Sequence, residues 1–177
     1  MQGRGADATI WLLALRSHFL NWDKMGHRAT ASFLVGPLDD RHPGVLAVTP
    51  AVDGTPLTKL VAEFEKSQGF DPANGYAGIV PTWFNYGSLD RYLLGQSDGD
   101  GYWSKLGGVY LLGCECGEVG CWPLMCKIST SSEDVTWERF RQPHRAVRDY
   151  SDFGPFVFDL AQYRNALTEL LDGMRTI

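Results

Sequence analysis

Outside residues 114–126 the chain has no cysteine at all. It also has no apolar run long enough to cross a bilayer as a helix, which takes about 20 residues. The longest such run near the start covers only residues 9–15. Asp7 stands just before that run, Arg16 and His18 follow it, and no small-x-small cleavage site appears, so it does not read as a secretory leader. These absences point to a cytoplasmic protein with no membrane partner, in which thiols stay reduced. Positive charge is in short supply as well, with 16 Lys and Arg against 21 Asp and Glu and a net charge of −5. A mildly acidic surface argues against nucleic acid as a general partner. Catalytic spacings are missing too. There is no Gly-x-Ser-x-Gly elbow, no His-Glu-x-x-His pair, and no Gly-x-Gly-x-x-Gly after a strand.

What is present reads as one globular domain. A length of 177 residues supports a single core, and 44% hydrophobic against 21% charged residues excludes a disordered chain. Residues 1–28 read as an extension or a short helix ahead of a domain over 29–177. Residues 29–35 and 45–49 read as strands, ended by Gly36-Pro37 and by Pro50. Thr55 and Pro56 form a helix start, Thr55 as the cap and Pro56 in the first turn, with Leu57, Leu60, Val61 and Phe64 on one face. Residues 67–101 are rich in glycine and aromatics, with one or two helical turns expected over 88–94. Their Asp98-Gly99-Asp100-Gly101 tip lacks the later glutamate of a calcium loop. Residues 107–128 read as a β-hairpin and 135–140 as a half-buried strand. Phe156-Val157-Phe158 then meets a closing helix with a capping box at Asp159 and Gln162 and a staple between Phe158 and Tyr163. Strands follow one another directly, so the expected fold is α+β. It is a mostly antiparallel sheet with a mid-chain and a C-terminal helix packed on it.

The cysteines sit at the tip of the expected hairpin, as Cys114-Glu115-Cys116-Gly117-Glu118-Val119-Gly120-Cys121, with Cys126 beyond. With Gly117-Glu118-Val119-Gly120 as the loop, Cys116 and Cys121 face each other across the ladder. Alternation then puts Cys114 on their face and Cys126 on the other. Three thiols on one face suit a zinc ion, for which His144 is the expected fourth ligand and Cys126 the alternative. The spacing departs from the Cys-x-x-Cys-Gly knuckle, and no second cysteine pair follows. A Cys116–Cys121 disulfide and plain buried thiols stand as the other readings. For a catalytic thiolate the flanking Glu115 and Glu118 are unfavourable, since their charge raises a thiol pKa.

Arg139, Arg141, His144, Arg145 and Arg148 gather positive charge in one segment, either as a contact patch or as arginines paired with Glu138, Asp149 and Asp152. Trp122 and Trp137 lie in strand-like segments that favour the core, whereas Trp83, Tyr86 and Trp103 lie in the irregular region and suit a binding surface.

Residues 111–124, carrying Gly-Cys-x-Cys-Gly-x-x-Gly-Cys-Trp-Pro-Leu, resemble a group of bacterial proteins with no assigned activity. The resemblance continues through Val135-Thr136-Trp137, Gln142-Pro143-His144-Arg145 and Gly154-Pro155-Phe156-Val157-Phe158-Asp159. It starts near Val52 and covers roughly two-thirds of the chain. It implies a bacterial domain in which the cysteine turn and the segment at His144 belong to one pattern, and it implies no mechanism. The function expected from the sequence is a non-catalytic binding or accessory protein with a protein partner, docking through Trp83, Tyr86, Trp103, Arg141, Arg145 and Arg148. The alternative is a zinc- or thiol-dependent enzyme at the cysteine hairpin.

Overall fold

A computed structural model describes residues 28–96 and 107–175. Trp103, the Asp98–Gly101 tip and the expected N-terminal extension (apart from Arg28) lie outside the described residues. The elements run β1 (Ala31–Pro37), β2 (Leu46–Val52), β3 (Thr55–Pro56), α1 (Leu57–Ser67), β4 (Tyr76–Gly78), α2 (Leu89–Leu93), β5 (Val109–Cys114), β6 (Leu124–Thr130), β7 (Asp134–Arg141), β8 (Phe156–Asp159) and α3 (Leu160–Arg175). They form a three-stranded sheet, β1-β2-β3, and a five-stranded sheet, β4-β5-β6-β7-β8. Every strand pair is antiparallel, which makes the fold α+β as the sequence implies.

Backbone bonds stitch the two sheets together at both margins. On the β8 side, Ala29 N–H donates to Val157 O at 2.7 Å. On the β4 side, Val48 and Ile79 exchange bonds of 2.8 and 3.0 Å. The second contact needs a glycine, because a Cβ on Gly78 would lie 2.5 Å from Val48 O.

Two local readings are corrected. Val52 pairs with Thr55 across Asp53-Gly54, whose φ values of 49° and 74° make the primed turn that Asp-Gly favours. Thr55 and Pro56 therefore belong to a strand; the helix starts at Leu57, with no side-chain bond capping it. The apolar face is as expected, with Leu57, Leu60, Val61 and Phe64 all buried. Likewise β2 does not stop before Pro50. Pro50 pairs with Phe33 of β1, and β3 is too short to present a residue opposite it on the other side. A residue without an N–H is tolerated in a strand where one side asks for no ladder bond.

The closing helix is capped by Asp159, whose Oδ1 accepts from Gln162 N–H at 2.9 Å, and the rings of Phe158 and Tyr163 meet at 5.6 Å. The Gln162 side chain does not complete the capping box. It reaches β1 instead, donating to Ala31 O at 2.7 Å and accepting from Ala31 N–H at 3.0 Å, in the manner of a short strand. Tyr163 is wholly buried; its hydroxyl accepts from Trp137 Nε1 at 3.1 Å and donates to Leu93 O at 2.7 Å. Together these contacts set α3 against β1, β7 and α2. Gln162→Ala leaves both Ala31 groups without this partner. The expected loss is about 1–3 kcal/mol, read as a lower urea midpoint with an unchanged slope.

Candidate thiol and metal site

The hairpin bearing the cysteines is wider than alternation alone suggests. β5 and β6 pair from Val109↔Cys126 to Leu112↔Leu124, and everything from Glu115 to Pro123 is loop. Cys116 and Cys121 therefore do not face each other across a ladder, and the coiling of the loop brings them together instead. Gly117 N–H donates to Cys114 O at 2.8 Å, and Cys121 N–H and Cys114 N–H both donate to Glu118 O at 3.3 Å. The Sγ atoms of Cys114, Cys116 and Cys121 all lie within 4.8 Å of one another. Cys126 is fully buried in β6, apart from them. The grouping matches the one expected from side-chain alternation, but its cause is the turn.

Residues of opposite character hold this loop in place. Val119 is buried at its centre, with its Cα 3.3 Å from where a Cβ on Gly113 would stand. Glu115 N–H donates to Gly75 O at 3.0 Å. Trp83 packs so closely on Gly117, at φ 88°, that a Cβ there would come within 2.3 Å of the ring. His42 meets Trp83 edge-on, and the Arg41–Asp39 ion pair at 2.7 Å completes that wall; its hydrogen bonds push the Asp39 carboxyl down to about 2.

On the far side stands the segment after β7. His144 Nε2 lies 2.7 Å from Gly120 O. A carbonyl only accepts, so that nitrogen carries the proton and is committed to the bond. Among the described residues no histidine or carboxylate joins the three thiols in a common ligand cluster. The Arg145 guanidinium lies 3.4 Å above the Trp122 ring centroid. Arg148 runs inward: its side chain is 6% exposed and pairs with the fully buried Glu65 at 3.2 Å. Arg141 is exposed at the end of β7, where it helps line an open cleft of about 550 Å³ with Arg139, Arg148 and Ser151. Tyr86 is buried, and that burial pushes its hydroxyl pKa up, whereas Trp83 keeps 43% of its surface exposed. Of the residues expected to form a docking surface, Trp83 thus borders the cysteine loop directly. Arg145 flanks it through Trp122, while Arg148 and Tyr86 are built into the interior.

The thiols differ sharply in electrostatics. Burial pushes Cys114 up to about 12 and holds Cys126 well above the usual thiol range. Cys116 moves the other way. The Cys114 thiol donates to its sulfur, backed by the Glu118 and Cys116 backbone N–H groups, and these outweigh its partial burial. Donors aimed at the sulfur therefore overcome the unfavourable charge expected from Glu115 and Glu118. The wall formed by Arg41, His42 and Trp83 escapes sequence reasoning because it depends on a contact between distant loops. Val119, a lone apolar residue in a polar turn, is the one visible hint of the loop's anchor.

No protein-family model, curated protein or solved structure matches this chain.

Iodoacetamide applied to the metal-free native protein is expected to label Cys116 first. Labelling should start at a lower pH than for a free thiol of pKa about 8.5, and Cys126 should resist until the protein is denatured. Peptide mapping of the labelled sites over a pH series checks the order.

Proposed function

We propose that the protein binds a thiophilic metal ion, zinc foremost, through the thiolates of Cys114, Cys116 and Cys121, with the fourth position filled from outside. One observation carries this reading: three sulfur atoms lie within 4.8 Å of one another at an accessible turn. Tetrahedral zinc at about 2.3 Å from each sulfur needs separations of about 3.8 Å, within reach of small side-chain rotations. The loop is braced by Val119, Gly75 and Trp83 through contacts that involve no sulfur. That bracing supports an exchangeable site more than a metal staple on which folding depends. With neither ring nitrogen of His144 within the sulfur cluster, a solvent water or a donor from a partner protein is the natural fourth ligand.

The reading is of a binding or accessory protein at work in a reducing compartment such as the bacterial cytoplasm. A protein partner would meet the exposed rim formed by Trp83 and Cys116. A thiol- or zinc-dependent enzyme is the second reading, favoured by the depressed pKa of Cys116.

Cobalt(II) titration of the reduced protein is expected to give sulfur-to-metal charge-transfer bands that saturate near one ion per chain. Zinc should then displace the cobalt. Cys116→Ser and Cys121→Ser should each weaken binding at least tenfold, whereas Cys126→Ser and His144→Ala should leave it within about twofold. Binding has to expel the Cys114 proton, held at about 12 in the free protein. Zinc affinity should therefore rise with pH between about 6 and 8. Absence of any charge-transfer band, with freely reacting thiols, would end the metal reading.

A further inference from the structure

The same loop has a second chemistry that does not depend on a metal. Cys116 and Cys121 are exposed, whereas Cys114 and Cys126 are buried, so a small polar oxidant reaches the first two and not the others. The exposed pair lies within 4.8 Å, sulfur to sulfur. Their backbones are separated by Gly117-Glu118-Val119-Gly120, a stretch with a glycine at each end. Cys114 is poorly placed to compete. It is the last residue of β5, held in register opposite Tyr76, and both its N–H and its carbonyl are tied to the loop backbone. A disulfide from Cys114 to Cys116 would also have to close a very small ring, against the spacing that an unstrained bridge requires.

We propose that Cys116 and Cys121 are a hydroperoxide-sensitive thiol pair, whose oxidation to a disulfide dismantles the three-sulfur cluster. In the first step the Cys116 thiolate attacks the terminal oxygen of the hydroperoxide. An S–O bond forms, the O–O bond breaks, and the leaving oxygen departs as water or alcohol after taking a proton. In the second step the Cys121 sulfur attacks the Cys116 sulfenic acid. The S–S bond forms, the S–O bond breaks, and hydroxide leaves as water with the Cys121 proton. The peroxide gains the two electrons that the two sulfurs give up. Cys114 remains as a lone buried thiol, so a soft metal loses two of its three protein ligands in one event.

The test uses the full chain, reduced and stripped of metal, treated with a small excess of hydrogen peroxide. Remaining thiols are then alkylated and mapped by mass spectrometry. The expected product is a monomer carrying one Cys116–Cys121 crosslink, with Cys114 and Cys126 still free, and it reverts on adding dithiothreitol. Cys114→Ala, a small apolar replacement at a buried position, should still form the crosslink. Cys121→Ser should instead leave Cys116 as a sulfenic acid that dimedone captures, with circular dichroism confirming that both variants are folded. The proposal is overturned by four free thiols after treatment, by a crosslink involving Cys114 or Cys126, or by dimers as the main product. This outcome is separable from the metal reading. A protein that crosslinks but never binds cobalt retains the thiol pair and loses the metal site. One that binds cobalt and resists peroxide does the reverse.

Discussion

The Glu65 carboxylate, fully buried on α1, is the constraint around which the cysteine end of the fold is arranged. An ionised carboxylate in an apolar interior is tolerable only with a full set of donors. Glu65 gathers them from distant parts of the chain. Oε1 accepts from the hydroxyls of Tyr76 and Tyr150 and from Arg148, and Oε2 accepts from Asn74 N–H at 2.6 Å. The second Arg148 nitrogen donates to Pro72 O at 2.7 Å. One acid therefore pins the start of β4 and the segment after β7 to the same helix. That segment carries His144 to Gly120 O and Arg145 to the face of Trp122, while residue 75 receives the N–H of Glu115. The shape of the cysteine loop is thus inherited from a charge buried elsewhere.

Three cysteines in one turn occupy three environments, which gives an otherwise uniform cluster a chemical order. Burial at the end of β5 keeps the proton on Cys114, and that proton then stabilises the sulfur of Cys116. Sulfur chemistry in the loop is accordingly graded from inside to outside. The bracing by Val119 and Trp83, through contacts that involve no sulfur, holds this gradient in place.

Much of the architecture is legible from pattern. The apolar face of α1, the Asp159 cap, the hairpin and the strand at Trp137 follow from spacing alone. What escapes is whatever depends on competition between partners. Thr55 carries a cap signature, but Asp53-Gly54 just before it makes a tighter and better-defined turn, and the chain takes that one. Gln162 has the box spacing, yet the outward-facing backbone of Ala31 on the edge strand β1 offers it two bonds at once. At the site, the grouping of the thiols is readable, but the commitment of His144 and the inward course of Arg148 are not. Each depends on an atom far away in sequence, Gly120 O in one case and Glu65 in the other.

The stitching of the two sheets also bears on how the molecule behaves in a crowd of its own copies. A strand edge with free N–H and C=O groups invites another chain to pair with it. Here the outer strands of the five-stranded sheet, β4 and β8, each meet the other sheet through the bridges at Ile79 and Ala29. At β1, Ala31 is already paired with an amide side chain. That pairing reaches only the first of the seven residues of β1, an outer strand of the three-stranded sheet. A protein displaying reactive thiols at its surface can be joined covalently to a neighbour, but the margins of its larger sheet offer that neighbour little backbone to extend.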